Sequence, residues 1–267
     1  NPLLPGQVSA MVFVAEKTYL TIKLTAHGRG GHSSVPPRRT SIGKLAAAIH
    51  RLDENPMPAR LTGAMRAMLA ASAPHQSFGR RFAFNNLWLT EKAILDSLLE
   101  DDMQRVMVQT STAPTVIHGG VKDNVVPDVA EAMVNFRLLP GDSPDDVVAH
   151  VRETIDDPDV DIEPLSWSPA PPPAATEGAA FDVIRESVAS VLPDAVILPG
   201  LLPGATDTRH FVGIAKDIYR FVPVRVTMDL MESFHGRDER LGIQHLGEAV
   251  EIAIEMVRRS ANPMEEQ

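Results

Sequence analysis

The spacing of apolar residues predicts two strands and two helical regions in the first 108 residues. Residues 8–14 form a mostly apolar run, and in 19–26 apolar and polar residues alternate, so both segments are predicted to be strands. In 41–52 the apolar residues recur at helical spacing, and a threonine-serine pair stands where the helix cap is expected. Residues 61–108 are rich in Ala, Met and Leu, which favours a helical insert.

The segments that follow complete a known order of strands and helices. Strands are predicted at 112–117 and 129–138, a helix with proline at its first position comes next, and 160–165 is a short closing strand. The resulting order is strand, helix, insert, strand, strand, helix, strand. This is the order of a ferredoxin-like (βαββαβ) domain, which we assign to 18–166 with the insert at about 60–108.

A proline-rich segment separates this domain from a second module. Residues 167–178 are stiff and poor in large apolar side chains, so they are predicted to be a linker. Beyond it, 179–267 is predicted to form an α/β module, of which 8–14 could be a detached strand. Its predicted elements are a helix at 180–191, a strand at 195–198, a glycine- and proline-rich loop at 199–204, a short helix from near Thr208, a strand at 218–222 and a helix at 243–259.

The composition excludes several classes of protein. Of the 267 residues, 44% are hydrophobic and 22% are charged, which is typical of a globular protein. No apolar run reaches the roughly 18 to 20 residues of a membrane helix. The net charge of −10 argues against a broad nucleic-acid footprint. We therefore expect neither a membrane nor a nucleic acid as partner.

The chain contains no cysteine. Disulfides, thiolate nucleophiles and cysteine-based metal sites are therefore excluded, and any metal must be held by His, Asp or Glu. The lack of cysteine fits a reducing compartment, so a cytoplasmic location is predicted.

The nine histidines do not form a helical zinc motif, because no pair has the i, i+4 spacing. His32 and His235 stand apart from the others, since each lies beside glycine in a predicted loop where the backbone can approach a ligand. An ordinary surface or packed histidine remains the alternative for both. The charged residues around His235 are compatible with a metal shell or with a solvated loop.

Four further residues are candidates for substrate binding or catalysis. Thr206 and Arg209 lie where a strand leads into a predicted helix, a position that suits anion binding but equally suits an ordinary helix cap. Asn124 could be a simple turn residue, and Arg137 an exposed strand charge. A fixed guanidinium at Arg137 would suit bidentate recognition of a carboxylate.

Six motifs, in one order along residues 8–261, together resemble a known family. They are GGHSSVPP at 30–37 with TSIG at 40–43, GVKDNVVP at 120–127, NFR at 135–137 with PG at 140–141, ATDTRHF at 205–211, DIYRF at 217–221 and HGRDER at 235–240. The chain resembles the zinc aminoacylase/carboxypeptidase family, nearest its carboxypeptidase S-like and N-acyl-amino-acid hydrolase branch.

The resemblance implies a two-domain enzyme in which a ferredoxin-like lid, often the dimerisation domain, interrupts an α/β catalytic domain. Two zinc ions in such enzymes activate water and polarise an amide carbonyl next to a free carboxylate. Residue by residue, the family pattern implies zinc binding by His235, oxyanion stabilisation in a neighbouring active site by His32, substrate contact by Asn124, carboxylate binding by Arg137, and a catalytic-domain loop that contains Thr206 and Arg209. An N-acyl amino acid or peptide substrate and a homodimer through the lid are the expected partners.

The family's upstream metal motifs have no counterpart in this sequence. One imidazole cannot hold two zinc ions, so we expect a fragment, or one piece of a two-piece assembly, that is inactive alone. On this view 1–17 ends the N-terminal part of the catalytic domain, and 179–267 is its C-terminal part. The alternative function is a non-catalytic interaction module whose lid pairs edge to edge with another copy.

Overall fold

In the described part of the chain there are three β-sheets, two of which have helices packed against them. The computed structural model describes residues 3–227, 230, 233 and 236–261. The strands are β1 (Ser9–Glu16), β2 (Thr18–His27), β3 (Gly31–His32), β4 (Ser111–Gly119), β5 (Val125–Val126), β6 (Val129–Leu138), β7 (Val160–Ser168) and β8 (Val196–Leu202). The helices are α1 (Ser41–Glu54), α2 (Gly63–Ser72), α3 (Phe78–Asn85), α4 (Leu87–Leu99), α5 (Asp102–Val108), α6 (Pro144–Ile155), α7 (Ala179–Val191) and α8 (Ile243–Ala261). Within the described ranges, no helix has the length and apolar character needed to cross a bilayer.

The largest sheet is antiparallel, with the strand order β4-β6-β2-β7. Every second side chain of β2 and β6 is buried, and the register places Leu20 opposite Phe136 and Ile22 opposite Val134. Because strand side chains alternate between faces, these residues form one apolar surface, which α1 and α6 cover. The order of elements and of strands confirms the predicted ferredoxin-like domain.

Hydrogen bonds at their first turns fix where α1 and α6 begin. Thr40 caps α1, since its Oγ1 accepts the Gly43 N–H at 3.0 Å, whereas the Ser41 hydroxyl donates to a carbonyl of the loop before β6. A capping box starts α6, in which Ser143 Oγ accepts the Asp146 N–H and the Asp146 carboxylate accepts the Ser143 N–H. These caps orient both helices on the sheet.

The second core surrounds β1 and β8, which pair in parallel. Val12 and Leu198 are fully buried there, together with apolar residues of α7 and α8. The predicted helical insert forms α2 to α5, and α2 packs on β8 with Met65 and Leu69 in the same core. The insert is therefore continuous in sequence with the ferredoxin-like domain but buries its apolar face with β1 and β8.

Two predicted elements of the second module differ from the structure. The segment 218–222 is not a strand and forms only an isolated bridge, in which Phe13 and Arg220 exchange backbone hydrogen bonds of 3.0 Å. Pro223 follows at once and has no N–H to continue a ladder. The short helix predicted near Thr208 is present but is a 3₁₀ helix, Asp207–Phe211.

The proline-rich segment before α7 is held against the second module. Its backbone donates twice, from Ala174 N to Val14 O and from Ala175 N to Asp217 Oδ1, both at 2.8 Å. These bonds satisfy the two peptide N–H groups that directly follow the proline run 171–173, whose residues have no N–H to donate.

Candidate functional site

A two-stranded ribbon brings His32 and Asn124 together. Strand β3 pairs with β5 so that His32 lies opposite Val125, and Ser33 N donates to Asn124 O at 3.1 Å. Residues 92 positions apart in the sequence therefore share one exposed projection of the ferredoxin-like domain.

The hydrogen bonds of His32 determine its tautomer. Its Nδ1 accepts the Ser34 N–H at 3.1 Å and lies 2.8 Å from Ser34 Oγ. The neutral ring therefore carries its proton on Nε2, for which the described residues offer no acceptor. An exposed Nε2–H is a donor available to a ligand.

Glycine is required where the chain turns into this ribbon. A Cβ on Gly28 would lie 2.9 Å from Ser41 N, and one on Gly30 would lie 3.2 Å from Val126 O. The glycines thus allow β2, α1 and β5 to approach closely, which sets the position of His32.

Arg137 lies on the face of the sheet that α1 and α6 leave open. Its guanidinium is 4.9 Å from the centre of the Tyr19 ring, the residue opposite on β2. This cation–π contact holds the side chain, while no carboxylate among the described residues pairs with it. Arg137 is therefore a fixed cation that has no counterion among the residues that the structure describes.

Thr206 and Arg209 lie in a loop at the carboxyl ends of the parallel strands β1 and β8, where α/β sheets usually bind ligands. Thr206 Oγ1 donates to Glu16 Oε2 at 2.7 Å, and Thr208 Oγ1 donates to Glu16 Oε1 at 2.7 Å. Arg220 Nε also donates to Glu16 Oε2, at 3.1 Å. Arg209 is exposed, with its Nη2 only 3.9 Å from Asp207 Oδ1.

Glu16 and Arg220 were not predicted from the sequence as site residues. Their sequence signal is weak, because a charged residue at the end of an apolar strand is normally a solvent-exposed terminus. In the folded chain both side chains are buried, with 1% and 6% of their surface exposed. Only the pairing of distant segments reveals them.

Lys17 connects β1, which ends at Glu16, to β2, the first strand of the ferredoxin-like domain. It is fully buried between β1 and β2, and its Nζ donates to Gln109 O at 2.6 Å. Burial lowers its pKa from 10.5 to about 8, with Asp142 opposing the change and Arg137 adding to it. The junction of the two modules therefore contains a destabilised ammonium.

The described residues do not fit a two-zinc site. No group of three or more His, Asp or Glu side chains in this part of the chain is placed to hold a metal ion. The Glu16 carboxylate accepts three hydrogen bonds, from Thr206, Thr208 and Arg220. His235, the predicted metal ligand, lies outside the described residues, so its role stays a prediction. No bond within the described ranges joins the Thr206 loop to His32 or Asn124.

The sequence of the ferredoxin-like domain matches a known family. Residues 14–163, more than half of the chain, match the M20 family described as "Peptidase dimerisation domain". The chain belongs to the M20 peptidase dimerisation-domain family. The M20 match runs from β2 into the first half of β7, so it covers the βαββαβ unit up to its last strand, together with the insert.

Curated M20 relatives match this chain over nearly its whole length. It is 34% identical over 262 residues to "Probable carboxypeptidase S-like 2" of Dictyostelium discoideum, covering 97% of this chain and 50% of the relative. It is 33% identical over 253 residues to the "N-fatty-acyl-amino acid synthase/hydrolase PM20D1" of Bos taurus, covering 93% and 50%. The chain thus spans about half the length of these relatives.

Solved structures share the fold. The "M20 family metallo-carboxypeptidase Sso-CP2" of Sulfolobus solfataricus superposes with a TM-score of 0.59 at 16% identity, over 94% of this chain and 60% of that one. The di-peptidase Dug1p of Saccharomyces cerevisiae gives the same score at 10% identity, over 97% and 58%. The arrangement of sheets and helices is therefore that of M20 enzymes.

Proposed function

We propose that the chain is the lid and C-terminal catalytic part of a zinc-dependent M20 hydrolase. Its substrate would be an N-acyl amino acid or short peptide, cleaved at the amide next to a free carboxylate. The observation that carries this proposal is Arg137, a guanidinium held over Tyr19 with no described carboxylate partner. Family membership and the names of the relatives support the same reaction class.

The other candidate residues have complementary roles in this proposal. His32 would donate its Nε2–H to the oxyanion in a neighbouring subunit's site, and Asn124 beside it would contact the substrate. The loop with Thr206 and Arg209 would border the same substrate. Zinc is the metal that we propose, with His235 as one ligand. A cytoplasmic location remains a prediction as well.

Replacing Arg137 by Lys in the whole protein tests carboxylate binding. Lysine keeps the charge but loses the bidentate fork, so KM for an N-acyl amino acid should rise roughly tenfold while kcat changes little. The corresponding N-acyl amino acid amide, which lacks the carboxylate, should be hydrolysed equally by both proteins. Arg66→Lys, at a surface pair with Glu91, is the matched control.

The outcome also decides between the two functions. An unchanged KM for the carboxylate substrate would remove Arg137 from this role. No turnover of any such substrate by the zinc-loaded whole protein would favour the alternative, a non-catalytic interaction module.

We further propose a homodimer through the lid. Strand β4 is an outer strand of the sheet and is exposed along most of its length, with Ile117 59% exposed. Exposed apolar edge strands pair readily with another copy. Ile117→Glu should therefore shift the protein toward monomer in light scattering at several concentrations, and Val121→Glu, just beyond the strand, should not. A dimer unaffected by Ile117→Glu would exclude this edge as the interface.

A further inference from the structure

The loop that contains Thr206 and Arg209 is attached to the sheet almost entirely by hydrogen bonds. None of the residues in Asp207–Phe211 is buried, so apolar packing does not hold this turn in place. Thr206 caps it, with Oγ1 accepting the Thr208 N–H at 3.3 Å. The loop's position therefore depends on what Thr206 and Thr208 bind outside it.

Both hydroxyls bind the same buried carboxylate. Thr206 and Thr208 each donate to a different oxygen of Glu16, at 2.7 Å. Arg220 completes the group, since Nε donates to Glu16 at 3.1 Å, Nη2 to Thr208 Oγ1 at 2.9 Å, and Nη1 to Ile218 O at 3.0 Å. Each hydroxyl has one proton, and both protons are used internally.

These hydrogen bonds limit the chemistry of the Thr206 side chain. Its only O–H is directed at Glu16, so the side chain has no proton left to donate to a substrate oxygen. Arg209 is exposed in this turn, as are Asp207 and His210; its Nη2 lies 3.9 Å from Asp207 Oδ1, and its Nε donates to His210 Nε2 at 3.2 Å. The threonines are therefore better suited to hold the loop than to act on the substrate.

A buried ion pair does not by itself explain the arrangement. Removing two charges from water is costly, and such pairs seldom add net stability compared with apolar residues. A buried carboxylate with fixed geometry does, however, impose one position on every donor that binds it. Glu16 ends β1 and Arg220 bridges to β1 through Phe13, so the group connects the loop rigidly to the sheet.

We infer that Glu16 and Arg220 are positioning residues that fix the Thr206 loop, through Thr206 and Thr208, so that Arg209 is presented to the substrate. This inference rests on the proposed hydrolase function for its catalytic consequence. The attachment of the loop itself does not depend on that function.

Thr208→Val and Thr208→Ser in the whole protein are the decisive pair. Valine keeps the shape but removes the bonds to Glu16 and Arg220, whereas serine keeps the hydroxyl. Trypsin cleavage after Arg209 measures loop attachment without any substrate. Because Thr208→Val loses hydrogen bonds to charged groups, trypsin should cleave it after Arg209 about tenfold faster than the wild type. Its kcat/KM for the substrate should fall by a similar factor. Thr208→Ser should behave like the wild type in both assays.

Thr62→Val controls for a general loss of stability. Thr62 caps α2, far in sequence from the loop, and its removal should lower the melting temperature without accelerating cleavage after Arg209. Thr206→Val provides a second variant that removes a different bond to the same carboxylate, and it should reproduce the effects of Thr208→Val.

Each outcome has a definite meaning. Unchanged cleavage after Arg209 and unchanged kcat/KM in both valine variants would overturn the inference. Faster cleavage and reduced kcat/KM in the valine variants, with wild-type values of both in Thr208→Ser, would support it. If the wild type hydrolyses no substrate but trypsin still cleaves the valine variants faster after Arg209, the proposed hydrolase function fails. The attachment of the loop by Glu16 is then still supported.

Discussion

Replacing Lys17 by Met should make the free energy of unfolding less dependent on pH in the alkaline range. In the folded chain burial lowers the pKa of this lysine from 10.5 to about 8. Between those values the unfolded chain binds more protons than the folded chain, so the free energy of unfolding rises with pH. Below pH 8 the buried ammonium imposes its full penalty on the folded state, about 3 kcal/mol.

The expected size of the effect follows from the same two pKa values. Between pH 7 and pH 9.5 the wild type should gain about 2 kcal/mol relative to Lys17→Met. Methionine matches the length of the lysine stem, and the lost bond to Gln109 O adds a penalty that does not change with pH. The difference between two pH values therefore isolates the charge.

Urea unfolding of both proteins at pH 7, 8.5 and 9.5 measures this difference. Gln109→Leu is the control, because it removes the bond from the Gln109 side chain to Met57 O without removing a titrating group. Its stability relative to the wild type should stay constant across the series. A difference in free energy of unfolding between wild type and Lys17→Met that stays constant with pH would refute the reasoning. It would mean that Lys17 has the same pKa in the folded and the unfolded chain.

Two further changes test the ferredoxin-like domain. Phe136 is fully buried between the sheet and its helices, so Phe136→Ala should lower the free energy of unfolding by about 3–5 kcal/mol in urea titrations. Phe136→Leu should cost clearly less, and equal losses would mean that the site relaxes around the cavity. Ser143→Ala removes the capping box of α6 and should cost about 1 kcal/mol, whereas Ser143→Thr should retain most of the cap. If Ser143→Ala unfolds with the same free energy as the wild type, packing alone fixes the start of α6.

The elements of the ferredoxin-like domain could be predicted because their signals are local. Alternation in β2 and β6 marks one buried face, and the Ser143-Pro144 pair marks the start of α6. The motif order also predicted the family to which the chain belongs. The strand predicted at 218–222 was wrong, because an apolar run cannot reveal whether a partner strand is within reach.

The amino-acid sequence by itself determined the period of each strand and helix, the glycine turns near His32 and the absence of cysteine chemistry. Only the tertiary structure decided that the helical insert packs on β8, that His32 meets Asn124, and that Glu16 binds the loop of Thr206. The physical reason is the distance along the sequence over which each interaction acts. Periodicity and caps depend on residues within a few positions, whereas burial of a charge and convergence of side chains depend on segments up to 204 residues apart.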